Sequence, residues 1–336
     1  YVDQLEAEAA SFFSTQYALG LASGTASLLI ALKAAGVGEG DEVITTPLTF
    51  CATADAIMHV GAKPVFVDVQ EKTGNIDPNQ IESALTDQTK AVLIVHLYGV
   101  PCEMKQITQV VDRHKLVLIE DGSHAHGSLY RGQAVGSFGL CGCFSLYPSK
   151  TVGAFGDAGL IVSNSKDLIQ KAKMYAHHGI RQGEPKRTHF VHGFNELIDN
   201  VQAAVVVEQL KSIDQRIKKR RQIAIKYNQA FEQHDHVGMF WPQHTEPSLY
   251  VYAAQIKHRE KFIRHMKDRG VDTGVYYPIP VHLQPSYRGL GYKKGDLPIA
   301  EKFAHQTVSL PLFSHLTTQE VLHIVDSINS YFEKSV

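Results

Sequence analysis

Long hydrophobic runs are missing from this 336-residue sequence. No apolar stretch approaches the roughly 20 residues that a membrane span needs, and no signal-peptide pattern opens the chain. The chain begins with Tyr1 rather than Met, so we expect that the true start is missing from this sequence. We therefore expect a protein without a membrane partner.

Cysteine and net charge are also scarce. The chain has four cysteines, and Cys141 and Cys143 are only two positions apart, unlike the spread framework of a disulfide-rich secreted protein. The 33 lysines and arginines nearly cancel the 34 aspartates and glutamates, so no overall field attracts nucleic acid or anionic lipid. These absences favour a reduced, cytoplasmic protein that does not bind nucleic acid. The 44% of apolar residues suffice to build sizeable cores.

Short β-branched or apolar runs alternate with helix-length amphipathic stretches from Tyr17 to Asn164. Such alternation is typical of βα units around a mostly parallel sheet. The predicted strands are EVITTP, PVFVDV, AVLIVHLYG, KLVLIED, CGCFSL and GLIVSN. The predicted helices TASLLIALKAAG and CATADAIMHVG each end in glycine, a common helix stop. This part of the chain therefore predicts an α/β domain.

The pattern then changes to one long predicted helix, about 200–234. After it, SLYVYAAQI indicates a strand, REKFIRHMKDRG a helix, and TTQEVLHIVDSINSYFEKS a closing helix that begins at Thr317 or Thr318. We predict a large domain over residues 1–210 and a smaller α+β domain over residues 211–336, with the long helix as the bridge.

The stretch SLYPSKTVGAFGDAG contains Lys150 followed by a threonine, a pair that also ends a nucleotide-binding loop. Such a loop requires glycine immediately before the lysine, whereas Pro148 and Ser149 precede Lys150. Proline also lacks the backbone N–H that a phosphate cradle uses. Lys150 therefore needs another role than binding a phosphate.

Polar residues stand where ligands of α/β proteins bind, beyond the carboxyl ends of the strands. Glu120 and Asp121 end the strand KLVLIED, where an acid either caps a helix or faces the ligand crevice. The small residues Ser23–Thr25 begin a helix, where they either cap it or bind an anion. Lys150 follows the apolar strand CGCFSL, where desolvation would lower its pKa and free its amine.

These three features match the needs of pyridoxal phosphate (PLP). This cofactor requires a Schiff-base lysine, an acid beside its pyridine nitrogen and an anion site for its phosphate. The competing hypothesis is a metal site built from His124, His126, Cys141 and Cys143. Each pair is separated by one residue, tighter than the usual zinc-ligand gap of about two to four residues. We therefore expect PLP and no metal.

The chain resembles the DegT/DnrJ/EryC1/StrS family of PLP-dependent aminotransferases. Most members act on nucleotide-linked keto sugars and adopt the type I aminotransferase fold, so we expect that fold here. The resemblance covers essentially the whole chain. It is carried, in order, by SGTASLLIALKAAGVGEGDEVITTPLTFCATADAI, GAKPVFVDV, NIDP, VHLYG, IEDGSHAHG, CFSLYPSKTVGAFGDAG, GFNELIDNVQAA and YPIPVHLQPSY.

The resemblance implies roles for the residues at matching positions. Lys150 is expected to form the Schiff base with PLP and, once released, to act as the general base. Asp121 is expected to keep the pyridine nitrogen protonated, so that the ring accepts electrons from the substrate carbon. Thr25, Ala26 and the hydroxyl of Ser145 are expected to hold the phosphate.

Four further positions follow from the same resemblance. Phe50 is expected to stack on the cofactor ring, and His124 stands where the family has glutamine or histidine over that ring. Asn195 is expected to reach the phosphate of the neighbouring subunit, which implies a homodimer with shared active sites. His282 is expected near the substrate side of the cleft. Leu197 stands where the family usually has arginine, so any contact of that arginine is in doubt here.

The resemblance therefore implies an aminotransferase. We expect it to move an amino group from glutamate or glutamine to a nucleotide-linked keto sugar. YPSKTVGAFGDAG is similar to members that aminate C-3, which favours C-3 over C-4. A keto-cyclitol or aminobenzoate product and a non-catalytic PLP-binding regulator stay open. The related sugar dehydratases are disfavoured, because they carry histidine in the place of Lys150.

Overall fold

The computed structural model describes residues 1–181, 183–185, 188–234 and 236–333. The strands of this part of the chain are β1 (Tyr17–Leu21), β2 (Glu42–Thr45), β3 (Lys63–Phe66), β4 (Thr89–Val95), β5 (Val117–Asp121), β6 (Leu129–Tyr130), β7 (Gln133–Ala134), β8 (Cys141–Ser145), β9 (Gly159–Ser163), β10 (Thr245–Glu246), β11 (Tyr252–Gln255) and β12 (Thr307–Leu310).

The α-helices lie before, between and after these strands. They are α1 (Val2–Phe12), α2 (Gly24–Ala34), α3 (Ala52–His59), α4 (Pro78–Ile81), α5 (Met104–His114), α6 (Lys166–Ala176), α7 (Asn200–Leu210), α8 (Ile213–Glu232), α9 (Arg259–Asp268), α10 (Pro298–Gln306) and α11 (Thr318–Glu333). No described helix is both long and apolar enough to cross a membrane.

The large sheet has seven strands in the order β1-β9-β8-β5-β4-β2-β3. Strands β8, β5, β4, β2 and β3 pair in parallel, whereas β9 is antiparallel to both of its neighbours. Strand β1 therefore runs in the same direction as β8. The predicted α/β fold with a mostly parallel sheet is confirmed, and the carboxyl ends of β1, β5 and β8 meet at one edge.

Both faces of this sheet are covered, as continuous apolar strands require. Along β4, Leu93 packs into a core cluster with residues of α2 and α3, while Val92 and Ile94 pack on the opposite face against α5. Successive side chains of a strand point to opposite faces, so one apolar run supplies both cores.

The predicted long helix over 200–234 is wrong as one element. The chain forms two helices, α7 and α8, interrupted at Lys211 and Ser212. Serine competes for backbone hydrogen bonds and favours helix ends. The Arg216 guanidinium donates to the Gln209 carbonyl oxygen at 2.5 Å, an acceptor that the Ser212 N–H reaches only at 3.4 Å, and so supports the end of α7.

The C-terminal part pairs β11 with β12 antiparallel and packs α8, α9 and α11 around a core that includes Tyr227, Tyr252 and Phe262. Thr317 caps α11 as predicted, because its Oγ1 accepts the Glu320 N–H while the Glu320 carboxylate accepts the Thr317 N–H. Residues 334 and 335 of the predicted closing helix lie outside the described residues. The domain boundary at residue 210 stays a prediction.

Candidate active site

A cavity of about 540 Å³ opens at the edge of the sheet where β1, β5 and β8 end. Polar groups reach it from the start of α2, the end of β5 and the segment after β8. The predicted site residues among its lining are Thr25, Phe50, Asp121, His124, Ser145 and Lys150. The fold thus brings together side chains that are up to 125 positions apart (150 − 25).

Lys150 lies in the turn after β8, where its N–H donates to the Tyr147 carbonyl at 2.8 Å. Its amine lies 4.7 Å from the centroid of the Tyr250 ring. Burial lowers the pKa of Lys150 to about 8, although the negative charge of Asp121 opposes the change. A large fraction of the amine is therefore neutral near pH 8, the form required for nucleophilic attack and for general-base catalysis.

Asp121 is the last residue of β5, and its carboxylate is held from two sides. Oδ2 accepts a hydrogen bond from Thr53 Oγ1 at 2.8 Å, and Oδ1 accepts from the Ser123 N–H at 3.1 Å. The Thr53 hydroxyl is also 2.7 Å from that of Thr49. This arrangement favours the ligand-facing interpretation of Asp121 over a helix cap.

Glu120, the other acid of this strand, points away from the cavity. It is fully buried and accepts the N–H groups of Gly136, Phe138 and Gly139 at 2.8 to 2.9 Å. His96 Nε2 lies 3.1 Å from the same carboxylate. Successive side chains of a strand point to opposite faces. Glu120 therefore has a structural role inside the protein, whereas Asp121 faces the cavity.

The N-terminus of α2 forms the anion-binding corner of the cavity. Ser23 caps the helix, because its Oγ accepts the Ala26 N–H at 3.0 Å. Gly24 lies so close to Ser145 that a Cβ built on it would be 2.6 Å from the Ser145 Cβ. Thr25 is exposed to the cavity, whereas Ala26 is buried behind Ser23. The corner combines a helix dipole with hydroxyl groups, which suits a phosphate.

His124 forms part of the cavity wall as a neutral ring. Burial, together with the positive charge of Lys150, lowers its pKa well below the usual value. Its Nδ1 accepts the Tyr98 N–H at 3.3 Å, so a neutral ring carries its proton on Nε2, which lies 3.3 Å from the Tyr277 hydroxyl. The ring also stacks on Tyr250 at a centroid distance of 4.6 Å.

Three predicted site residues do not line this cavity: Ala26, which is buried at the start of α2, His282 and Asn195. His282 is 1% exposed, and its Nε2 lies 3.3 Å from Glu301 among the rings of Phe66 and Tyr292. His282 therefore does not line this cavity, and its expected position near the substrate side of the cleft stays a prediction. Asn195 pairs with His177 in an isolated β-bridge outside the cavity.

The structure also bears on two other expectations, the family arginine replaced by Leu197 and the competing metal site. Leu197 forms a β-bridge with Leu21 and packs against the core, so an apolar contact occupies that position. Within the described ranges, no group of three or more His, Cys, Asp and Glu side chains is arranged to hold a metal ion. His126 is buried and packs against Phe144 at 5.3 Å between ring centroids.

Residues of the cavity that sequence reasoning missed are Thr53, Tyr250, Tyr276 and Tyr277. Thr53 lies in α3, within a segment already matched to the family. Tyr250 lies in the predicted strand SLYVYAAQI, Tyr277 begins the family-matching stretch YPIPVHLQPSY, and Tyr276 directly precedes it. Nothing in the local sequence assigns these tyrosines to the site, because tertiary packing brings them there.

The cavity fits PLP. A lysine amine with a lowered pKa, a fixed carboxylate and an anion-binding helix start are the groups that this cofactor requires. All three line the same cavity. The sequence model of the DegT/DnrJ/EryC1/StrS aminotransferase family matches residues 1–329.

The chain belongs to this family. It is 40% identical to a pleiotropic regulatory protein of Geobacillus stearothermophilus, over 99% of this chain and 89% of that protein. It is 36% identical to dTDP-3-amino-3,4,6-trideoxy-alpha-D-glucose transaminase of Streptomyces venezuelae, over 99% and 87% of the two chains. The solved structure of S. venezuelae DesV with a ketimine intermediate superposes with a TM-score of 0.95 at 36% identity, covering 99% of this chain and 89% of that one.

The family assignment settles the class of enzyme. This member of the DegT/DnrJ/EryC1/StrS family has the fold of PLP-dependent aminotransferases and is itself a PLP-dependent aminotransferase of the sugar-modifying type. Related solved structures hold the cofactor as PLP or as its amine form, PMP.

Proposed function

We propose that this enzyme transfers an amino group from glutamate or glutamine to C-3 of a nucleotide-linked keto sugar. The observation that carries the proposal is the Lys150 amine, whose pKa is lowered to about 8, in one cavity with the Asp121 carboxylate and the start of α2. C-3 is supported by the stretch YPSKTVGAFGDAG and by the name of the transaminase relative from S. venezuelae.

When bound, PLP supplies a carbonyl and a ring that accepts electrons. When PLP is bound, Asp121, held by Thr53, would keep a proton on the ring nitrogen. The neutral amine of Lys150 would accept the proton that leaves the carbon on one side of the transferred nitrogen and donate it to the carbon on the other side. Thr25, Ser145 and the start of α2 would hold the phosphate, and Phe50 would stack on the ring.

The experiment that tests the reaction uses the protein loaded with PMP. Keto-sugar nucleotides are added one at a time, and the return of the yellow PLP absorbance is followed in a single turnover. We expect a 3-keto sugar nucleotide to restore it fastest. A 4-keto sugar nucleotide or a keto-cyclitol that reacts far faster would contradict the proposed substrate.

The role of Lys150 is tested by Lys150→Ala in the same assay. We expect the rate to fall by at least about 100-fold, because a positioned general base contributes about that much or more. The matched control is Lys171→Ala, which removes an exposed lysine paired with Asp167 on α6 and should leave the rate unchanged. A fully active Lys150→Ala protein would overturn the mechanism.

We also propose a homodimer in which Asn195 serves the active site of the other subunit. The support is the family resemblance, together with the position of Asn195 outside the cavity of its own chain. Mixed dimers of Lys150→Ala and Asn195→Ala chains test this. If Asn195 acts across the interface, one site of each mixed dimer has both residues intact and activity returns. If mixing restores nothing, the proposal is wrong.

The expected alternative, a regulator that binds PLP without turnover, stands against the family assignment, and its support is the name of the relative from G. stearothermophilus. It predicts a yellow protein whose absorbance does not change when glutamate or glutamine is added. The aminotransferase predicts loss of the yellow band with one of these donors and its return with the keto sugar.

A further inference from the structure

Tyr250 contacts three groups of the active site at once. The Lys150 amine lies 4.7 Å from the centroid of its ring. Its hydroxyl is 3.1 Å from the Ser149 Oγ, and the ring stacks on His124 at 4.6 Å. The face of the ring, rather than the hydroxyl, therefore meets the amine.

The position of Tyr250 is fixed from its backbone. Its N–H donates to the Tyr98 carbonyl at 3.0 Å, and its own carbonyl accepts from Arg220 Nη1 at 3.2 Å. The same guanidinium nitrogen donates to the carbonyls of Leu249 and Leu312. Burial lowers the pKa of Arg220 to about 10, so it stays charged at neutral pH. The ring is thus anchored by a buried cation on α8.

An ammonium group within about 6 Å of an aromatic centroid is attracted by the electrons of the ring, more strongly where water is excluded. At 4.7 Å the Lys150 amine is well inside that range. The attraction favours the charged form and opposes the effect of burial. A ring in this place would therefore influence both the position and the protonation of the amine.

We propose that Tyr250 is a positioning residue that holds the amine of Lys150 over its ring whenever that amine is not bound to the cofactor. The inference rests on the proposed role of Lys150 as the lysine that is released during turnover. The contact with Tyr250 gives the amine one defined position between two proton transfers. Without it, Lys150 would be a flexible side chain in an open cavity.

Other charged or titratable groups face Lys150 from the elements packed around it. They are Asp121, His124 and His126 from β5 and the segment after it, Asp157 before β9, and Tyr276 and Tyr277 from the C-terminal part. The test must therefore change the Tyr250 ring alone. Tyr250→Phe keeps the ring but not the hydroxyl, whereas Tyr250→Leu removes the ring.

The experiment measures the modification of Lys150 by acetic anhydride in the PMP-loaded protein, where the amine is not bound to the cofactor. Peptide mass spectrometry gives the rate at each pH, with the exposed Lys171 as the internal standard. We expect Tyr250→Leu to shift the midpoint of the Lys150 profile to lower pH by about half a unit to one and a half units. Tyr250→Phe should keep the midpoint of the unaltered protein.

The matched control is Tyr175→Leu, which removes another lysine–tyrosine contact, with Lys33 at 5.7 Å, outside the cavity. It should leave the Lys150 midpoint in place. An unchanged midpoint in Tyr250→Leu overturns the inference, and so does an equal shift in Tyr250→Phe, which would assign the effect to the hydroxyl. If Tyr250→Leu does not fold, Tyr250→Met gives the same comparison with a side chain of similar length.

This readout is independent of the proposed substrate. A shifted midpoint in a protein that aminates no keto sugar would support the role of Tyr250 and reject the proposed function. An unshifted midpoint in a protein that aminates a keto sugar would reject the role of Tyr250 and support the proposed function.

Discussion

The hydroxyl of Thr53 donates a 2.8 Å hydrogen bond to Oδ2 of Asp121, joining helix α3 to the end of β5. Both side chains are buried, at 1% and 5% exposure, so water does not replace this bond easily. It leaves the carboxylate with one orientation toward the cavity. Thr53 therefore belongs to the proposed cofactor site together with the acid that it holds.

We expect Thr53→Val to lower the affinity for PLP by about 10- to 100-fold. Valine has nearly the same shape but no hydroxyl, and a hydrogen bond to a charged group contributes about 1.5 to 3 kcal/mol. Titration of the cofactor by absorbance measures the loss, and Thr53→Ser should recover most of the affinity. Thr307→Val is the control, because it removes a buried hydroxyl bonded to the Phe303 carbonyl in the C-terminal part. Equal affinities of Thr53→Val and the unaltered protein would contradict the role of Thr53.

Gly24→Ala should weaken cofactor binding for a steric reason. The added methyl group would be 2.6 Å from the Ser145 Cβ and 2.9 Å from its Cα, so β8 or the start of α2 must move. Overpacking of this kind costs about 1 to 3 kcal/mol. We expect the loss to appear in PLP affinity, measured by the same titration. Gly289→Ala, whose added methyl group meets nothing within 4 Å, should have no effect. Similar PLP affinities of the two variants would contradict phosphate binding at the anion-binding corner.

Glu120 and Asp121 should respond differently to substitution although they are adjacent. Glu120→Ala leaves three N–H groups, one buried and two half-buried, without their acceptor, and we expect it to lower the free energy of unfolding by about 3 to 5 kcal/mol. Urea denaturation measures the change. Glu82→Ala, at an exposed ion pair with Arg113, should barely alter it. If Glu120→Ala is as stable as the Glu82 variant, the structural role of Glu120 is wrong.

His126 should make the protein less stable in acid. Burial and the positive charge of Lys150 lower its pKa to about 3, whereas the unfolded chain has the ordinary value of 6.5. Between these values the unfolded state binds more protons than the folded one, so the free energy of unfolding falls as the pH is lowered. The contribution is present above pH 6.5 and is lost toward pH 3, with a slope of up to about 1.4 kcal/mol per pH unit.

His126→Leu should reduce that slope, measured by urea denaturation between pH 4 and pH 7 at steps of about half a unit. The control His59→Leu changes an exposed histidine and should leave the slope as it is. Parallel curves for His126→Leu and the unaltered protein would show that His126 is not held neutral in the folded state.

Much of the fold could be predicted because its signals are local. The alternation of apolar runs and amphipathic stretches was sufficient for the strands β2 to β5, β8 and β9, and the glycines mark where α2 and α3 give way to loops. The break between α7 and α8 was missed. The apolar pattern continues through it, and the Arg216 contact that supports the break depends on side-chain geometry.

The amino-acid sequence by itself determined the fold class, from its alternating pattern, and the family, from segments that match in order. It also predicted the lysine, acid and anion site that PLP requires, because these depend on residue type at strand ends. Only the tertiary structure decided which of two adjacent acids faces the cavity, that His282 is buried beside Glu301, and that Thr53 and Tyr250 support Asp121 and Lys150. Contacts between residues about 70 to 100 positions apart arise from packing of separate elements, and no local pattern records them.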